Sequence, residues 1–339
     1  MRILVTGGAG YVGSISVERL LAAGHEVTVL DELSTGHRAS VAAGARLTIG
    51  SYADNIVLRD LLRRDRIEAI LHCAARSLVG ESMADPARYY RDNVAGGVVL
   101  LDAARDAGVN RIVFSSSAAV YGVPASVPIE EDAPLLPVNP YGETKRTFES
   151  ALRWYAAAYG VRSVSLRYFN AAGASERNGE QHDPETHLIP NVLRAAEGTA
   201  PLTVFGADYP TIDGTCIRDY IHVEDLADAH LAALEATAPD DPRTSVAPAA
   251  STGARALVLN LGSASGFSVR EVIAAAEAVV GHSIPHSYGP RRAGDPPVLV
   301  AANAQARDIL GWSPRRGSLE EIIGSAWAWR QRHPRGYPE

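Results

Sequence analysis

The feature that most constrains this chain is a run of glycines near its N-terminus. Gly7-Gly8-Ala9-Gly10-Tyr11-Val12-Gly13 stands between an apolar strand pattern, Ile3 to Thr6, and a helical pattern, Ser16 to Ala23. A glycine turn at that junction lets the backbone approach a pyrophosphate, and the helix N-terminus behind it offers unpaired N–H groups and the positive end of a dipole. The spacing is G-x-x-G-x-x-G, not G-x-G-x-x-G, and glycines alone also make plain tight turns, so the next elements matter. A second strand pattern, Val27 to Leu30, runs into Asp31, where an acid meets the hydroxyls of an adenosine ribose. An acid there repels a 2′-phosphate, so the expected dinucleotide is NAD and not NADP.

Short apolar runs and helical patterns go on alternating through Ile56 to Arg63, Ala69 to Cys73, Val94 to Ala107 and Arg111 to Ser115. That is the βαβ rhythm of an α/β fold, a Rossmann-type doubly wound parallel sheet that binds ligands at the carboxyl ends of its strands. A strand over Ser163 to Arg167 is expected to end the regular rhythm. Beyond it, Ala174 to Thr186 is polar, and Pro239 to Gly253 is rich in proline and alanine and reads as an exposed loop. Helices are expected over Val223 to Glu235 and Ser268 to Val280, the second with Ser268 as N-cap and Glu271 three residues on.

With 46% hydrophobic residues in 339, the chain has enough apolar side chains for a large core. It has no apolar run long enough to span a bilayer, and Met1-Arg2 leads directly into a strand, so a cytoplasmic protein is expected. A net charge of −7 with scattered basic residues speaks against a nucleic-acid surface. Cys73 and Cys216 stand in unrelated contexts, suggesting neither a disulfide nor a cysteine metal site, and no metal is expected.

The chemistry points to Tyr141-Gly-Glu-Thr-Lys145, which follows Asn139-Pro140 at an expected helix start. One helical turn puts tyrosine and lysine on one face, where an ammonium favours the phenolate and lowers a phenol pKa from about 10. The strand from Arg111 runs into Ser115-Ser116-Ser117, which brings hydroxyls to the ligand edge of the sheet. Serine, tyrosine and lysine can then converge beside a nicotinamide.

These stretches, with HCAARSLVGES, YYRDNVAGG, FSSSAAVYG, LRYFNAAGA, DGTCIRDYIHVEDLA and PRRAGDP, resemble the extended short-chain dehydrogenase/reductases, and among them the UDP-glucose 4-epimerases, over nearly the whole chain. The resemblance implies reversible inversion at C4 of a UDP-hexose with NAD retained. Tyr141 would take the 4-hydroxyl proton, Lys145 would depress the tyrosine pKa and bond the nicotinamide ribose, and Ser117 would hold the 4-oxygen. For the cofactor it implies Gly7, Gly10, Tyr11, Val12 and Gly13 at the pyrophosphate, and Asp31, Glu32, Leu33, Ser34, Thr35 and Gly36 along the adenosine ribose. Cys73, Ala74, Ala75 and Ser115 would line the groove, with Asn93 in the helix behind and Phe169 near the nicotinamide. Asn170, Arg218 and Arg292 would hold the substrate diphosphate, since guanidinium groups bind phosphate oxygens in pairs. His187, Leu188 and Asp295 fall beside the substrate. The resemblance also implies a homodimer packed through helices near Val94 to Ala107 and Tyr141 to Tyr159. Residues 1–169, rejoined by segments near 215–223 and 257–262, would form the NAD-binding domain, and residues 170–339 a smaller α/β domain for the UDP-sugar.

The chain departs from the commonest pattern at four places. Gly50-Ser51 replaces a Gly-Asp that reaches the adenine, leaving Ser51, Tyr52 or Asp54 for that end. Ser77, beside Arg76, replaces a lysine that touches the cofactor. His187 replaces an asparagine. Leu299 stands where a tyrosine flanks the sugar C2 substituent in enzymes restricted to unmodified hexoses, so N-acetylated UDP-sugars are candidate substrates. Nucleotide-sugar 4,6-dehydratases need an acid pair after the serine, and Ala118-Ala119 supply none. An epimerase of UDP-pentose or UDP-glucuronate and a non-catalytic NAD-binding sensor stay open as alternatives.

Overall fold

The computed structural model describes residues 1–239, 241–245, 256–292 and 295–338. Its strands are β1 Arg2–Thr6, β2 Glu26–Asp31, β3 Arg46–Ile49, β4 Ala69–His72, β5 Arg111–Ser117, β6 Arg162–Tyr168, β7 Asn170–Ala172, β8 Leu202–Phe205, β9 Ile217–Arg218, β10 Tyr220–His222, β11 Ala256–Leu261, β12 Phe267–Ser268, β13 His286–Gly289 and β14 Val298–Leu299. Seven of them form one parallel sheet in the order β11-β6-β5-β4-β1-β2-β3. The chain reverses direction between β1 and β4, which opens a crevice at their carboxyl ends.

Burial on both faces explains why these strands read as apolar runs. Ile3 and Val5 point into a core closed by the helices Tyr11–Ala22 and Val223–Ala236, including Val17, Leu20, Leu226 and Ala233. Leu4 points the other way, into Leu58, Leu61, Leu100, Leu101 and Phe148 of the helices Asn55–Arg64, Gly96–Asp106 and Pro140–Tyr159. Each fully buried Leu or Ile contributes roughly 1.5–3 kcal/mol. A separate core gathers Val192, Leu193, Val272, Ile273, Ile322 and Ile323 from the helices Leu188–Ala196, Val269–Val280 and Leu319–Arg332.

Of the segments expected to return to the first domain, Leu257 to Gly262 supplies β11, paired with β6. Residues 215–223 add no strand to that sheet, since β9 pairs with β12 and β14, and β10 pairs with β7. Ile221 and the following helix nevertheless pack into the core on the sheet's face. The serines at the strand exit are also still in the ladder, since Ser115, Ser116 and Ser117 pair with Leu166, Arg167 and Tyr168. Ser268 does cap its helix in a full capping box with Glu271. Of the expected loop Pro239 to Gly253, Pro242–Ser245 is a helical turn, and residue 240 and residues 246–253 lie outside the described residues.

Candidate functional site

The glycine turn separates into two kinds of position. A side chain at Gly7, whose φ is +72°, would come within 2.6 Å of Ala74 N, and one at Gly13 within 2.0 Å of Gly7 O. Those two glycines are demanded by the fold itself. A side chain at Gly10 would meet nothing nearer than 3.4 Å, an ordinary contact, so no protein atom requires a glycine there. The open space over Gly10, at the N-terminus of the Tyr11–Ala22 helix, suits an approaching phosphate and so fits a dinucleotide. Asp31 accepts from the backbone N–H of Ala9 at 2.9 Å and of Leu33 at 2.8 Å, one on each carboxylate oxygen, and burial pushes its pKa up. Each oxygen keeps a lone pair for a further donor. Glu32, Leu33, Ser34, Thr35 and Gly36 fold back over the turn, held by His37 N–H donating to Ala9 O at 2.8 Å.

Ala74 and Cys73 donate backbone N–H groups to Thr6 O at 3.0 Å each, fixing the floor of the groove. Burial pushes the Cys73 thiol up to about 11, which makes it an inert lining group. At the adenine end Tyr52 has its donor engaged, while Ser51 and Asp54 accept from backbone N–H groups and Ser51 keeps its hydroxyl proton. Tyr52 donates its hydroxyl to Asp92 O at 2.7 Å, Ser51 Oγ accepts from Ala53 N–H at 3.2 Å, and Asp54 caps the Asn55–Arg64 helix. Ser77 is exposed, while Arg76 pairs with Glu32 at 3.3 Å and Asp92 at 3.0 Å across the mouth of the groove.

Asn93, expected in the helix behind the groove, is a hub between elements there. It sits in a π-helical turn, Tyr90–Ala95; its oxygen accepts from Arg76 N–H at 2.8 Å, and its amide donates to Arg76 O at 3.0 Å and Thr144 Oγ1 at 3.1 Å. Both amide protons are used inside the protein, so it anchors the Tyr141 helix and has no donor left for a ligand.

The catalytic candidates do converge. Asn139 caps the helix Pro140–Tyr159 at Gly142 N–H, and Pro140 occupies its first turn. A side chain at Gly142 would fall 2.4 Å from Ala119 O, so this glycine lets the helix press onto the turn after Ser117. Ser117 faces the Tyr141 phenol and favours its ionised form, but burial outweighs it and pushes the phenol up. Lys145 Nζ donates to Ser115 O at 2.7 Å and lies 5.8 Å from the tyrosine ring centre; burial brings it down to about 8. The expected depression of the tyrosine by the lysine is therefore not seen in the protein alone, because the ammonium is docked on a carbonyl and both groups are desolvated.

Beneath them lies a buried polar network that the sequence pattern did not signal. Glu149 accepts from Ser116 Oγ at 2.5 Å and from Arg167 Nε and Nη2 at 2.9 and 2.6 Å; Arg167 Nη1 donates to Tyr121 Oη at 2.8 Å, and Tyr121 donates to Asn260 at 2.7 Å. It ties β5, β6, β11 and the Tyr141 helix together below the serines.

On the substrate side, Phe169 and Leu299 pack with Ala118 in one small cluster, and Leu299 is the register partner of Arg218. Arg218 pairs with Asp295 at 2.5 Å, and Asn170 donates to Asp219 O at 3.0 Å. Arg292 lies over the ring of Phe205, 4.4 Å from its centre. Phe205, more than a third exposed, and Tyr209, whose hydroxyl is buried without a partner close to Arg218 and Asp295, were not anticipated from the sequence. His187 precedes Leu188 at the start of the Leu188–Ala196 helix and turns Nδ1 to Glu180 at 2.7 Å.

Residues 3–247 match the model of the NAD dependent epimerase/dehydratase family. The chain is 46% identical to the UDP-glucose 4-epimerase of Lactobacillus helveticus over 342 aligned positions, covering 100% of both. Among solved structures it is similar to the UDP-glucose 4-epimerase of Brucella ovis in complex with NAD (TM-score 0.89, 44% identity, 96% of this chain and 97% of that one). It is also similar to the Bifidobacterium longum UDP-glucose 4-epimerase in complex with NAD+ and UDP (TM-score 0.91, 34% identity, 99% of this chain and 100% of that one).

Proposed function

Since the chain belongs to the NAD dependent epimerase/dehydratase family, we propose that it catalyses the reversible, NAD-dependent inversion of C4 in UDP-hexoses, interconverting UDP-glucose and UDP-galactose. The observation that carries the reading is the convergence of Ser117, Tyr141 and Lys145 at the carboxyl edge of the sheet, with Ala118 and Ala119 where a dehydratase would need acids. When bound across Gly7 to Gly13 and Asp31, NAD supplies the acceptor and later the donor of the C4 hydride, together with a positive charge in its oxidised form. Tyr141, as phenolate, takes the proton of the 4-hydroxyl and returns it after inversion. Ser117 donates to the 4-oxygen and keeps that oxygen in line with the phenol. Lys145, still protonated at neutral pH with a pKa of about 8, sits below and favours the ionised tyrosine once the groove is filled.

Inversion requires the sugar ring to turn while its nucleotide stays fixed. Arg218, Arg292 and Asn170 are assigned to the diphosphate, with Asp295 holding Arg218 in place as its ion-pair partner, and Leu299 with Phe169 forms a plain apolar wall that gives the sugar few fixed contacts. Because Leu299 is smaller than a tyrosine, we assign N-acetylated UDP-hexoses as further substrates. The division into an NAD-binding part up to about residue 169, completed by β11, and a UDP-sugar part is supported by the two separate cores. Homodimerisation is supported by Val98, Trp154 and Tyr159, exposed apolar residues on the helices Gly96–Asp106 and Pro140–Tyr159. A cytoplasmic site of action fits two unpaired cysteines, and no helix among the described residues is long and apolar enough to cross a membrane. Tyr141→Phe tests the mechanism: conversion of UDP-galactose should fall by several orders of magnitude with NAD still bound, and an undiminished rate would refute it.

A further inference from the structure

Glu180, His182, Glu185 and His187 form a cluster outside the catalytic trio, and it draws in the Nδ1 of His187, the residue expected beside the substrate. They occupy eight consecutive positions, Glu-x-His-x-x-Glu-x-His, in the polar stretch between β7 and the Leu188–Ala196 helix. Each offers one donor atom, and the four atoms lie within 4.8 Å of one another. His182 Nδ1 is 3.3 Å from Glu180 Oε1 and 3.6 Å from Glu185 Oε2. These separations exceed the roughly 2.7–2.9 Å of a charge-assisted hydrogen bond. They are close to the edge of a tetrahedron, about 3.4 Å, spanned by nitrogen and oxygen ligands about 2.1 Å from a zinc ion. Only His187 Nδ1 to Glu180 Oε1, at 2.7 Å, has the length of a hydrogen bond.

Two further observations point the same way. His182 Nδ1 is buried, aimed at the two carboxylates, and has no hydrogen-bond partner. The side chains of Glu180 and Glu185 are only 7% and 4% exposed, so two carboxylates share a nearly dry site and require positive charge between them, which either protonated imidazoles or one bound metal ion supplies. Glu185 Oε1 already accepts the backbone N–H groups of Thr186 and His187, each at 2.8 Å, which orients the carboxylate and leaves Oε2 turned to His182. A carboxylate held by backbone donors behind the ligand atom is the arrangement that supports metal sites.

We propose that Glu180, His182, Glu185 and His187 bind one divalent transition-metal ion, preferentially zinc, in a closed four-ligand site. Two imidazoles and two carboxylates in four-coordinate geometry suit zinc, and four protein ligands leave no position for a reacting water, so the role is structural. The ring of Tyr11 stands edge-on to His182, 6.3 Å between centres, and its hydroxyl donates to Gly173 O at 2.7 Å. The ion therefore staples the polar stretch between the dinucleotide turn and the Leu188 helix. The sequence-based expectation of no metal came from cysteine usage and passed over this His and Glu spacing.

Full-length enzyme purified without chelator from zinc-supplemented cells should carry about one equivalent of metal per chain by plasma mass spectrometry. After chelation, cobalt(II) chloride should give the intense visible absorption of four-coordinate cobalt, saturating at one equivalent, and zinc should raise the Tm by several degrees. His182→Gln and Glu185→Gln should lose the bound metal and the response of Tm to zinc. Metal below about 0.1 equivalent with no cobalt absorption and no Tm response would mean plain histidine–carboxylate ion pairs and overturn the proposal. So would a six-coordinate cobalt spectrum or full metal content in both variants. Should either variant fail to fold, the cobalt and zinc titrations of the chelated native chain decide alone.

Discussion

Glu149→Gln probes the buried network under the active site. Arg167 and Glu149 are 4% and 6% exposed, and the carboxylate accepts from Ser116 Oγ and from both Nε and Nη2 of Arg167. Glutamine has nearly the same shape but one acceptor oxygen, and its amide protons must face a guanidinium or hydroxyl donor. The guanidinium keeps its charge, because it cannot be neutralised near neutral pH, and is left buried without a counter-ion. Removing one partner of such a pair costs roughly 3–5 kcal/mol, a large part of the roughly 5–15 kcal/mol that a folded protein has. Replacing both partners by apolar residues is far less damaging, because no charge is stranded. Glu149→Leu/Arg167→Met forfeits the bond from Ser116 Oγ and those from Arg167 Nη1 to Tyr121 Oη and Glu131 O, at about 1 kcal/mol each. Set against about 3–5 kcal/mol for the stranded charge, the double variant should thus be more stable than Glu149→Gln by up to about 2 kcal/mol, read from urea midpoints at constant m. A loss below about 1 kcal/mol in Glu149→Gln, or a double variant less stable than the single, would refute the stranded-charge argument.

Gly10→Ala should leave the urea midpoint within the equivalent of about 1 kcal/mol while lowering the nucleotide recovered from purified protein, since only a ligand needs that space; full NAD retention would contradict it. Gly142→Ala drives a methyl group toward Ala119 O and pries Tyr141 from Ser117, so UDP-galactose turnover should drop about 100-fold with NAD content unchanged. Leu299→Tyr should abolish conversion of UDP-GlcNAc while sparing UDP-galactose, and equal losses on both would count against the assigned wall. Acid stability follows from three buried histidines: burial lowers His72 to about 3 and His222 and His230 to about 4. The unfolded chain binds these protons at about pH 6.5 and the folded chain does not, so their contribution is complete above that pH. It is lost as pH falls toward 4, by roughly 1.4 kcal/mol per histidine per unit, and an unchanged urea midpoint between pH 7 and 5 would refute the assignment.

How much was legible depended on how local the cause was. β1, β2, β4 and β5 were readable because strands buried on both faces must be apolar throughout. Short strands such as β9, β12 and β14, two residues each, carry no pattern of their own, since pairing alone defines them. Tyr141 and Lys145 were found because a helix makes a four-residue spacing into a shared face. Asn93 with Thr144 and Glu149 with Arg167 join residues 51 and 18 positions apart, and nothing in either segment announces the other.

The sequence by itself determined the parallel sheet, the glycine turn with its acid and the residue types of the catalytic trio, because strand burial, turn geometry and helical spacing act over a few neighbours. Tertiary structure decided what those residues experience. It docked Lys145 on a carbonyl, raised the Tyr141 phenol by burial, and turned Asn93 from a ligand candidate into an anchor. It also closed Glu180, His182, Glu185 and His187 into one cluster. Desolvation and hydrogen-bond saturation are properties of a three-dimensional neighbourhood, and no reading along the chain contains them.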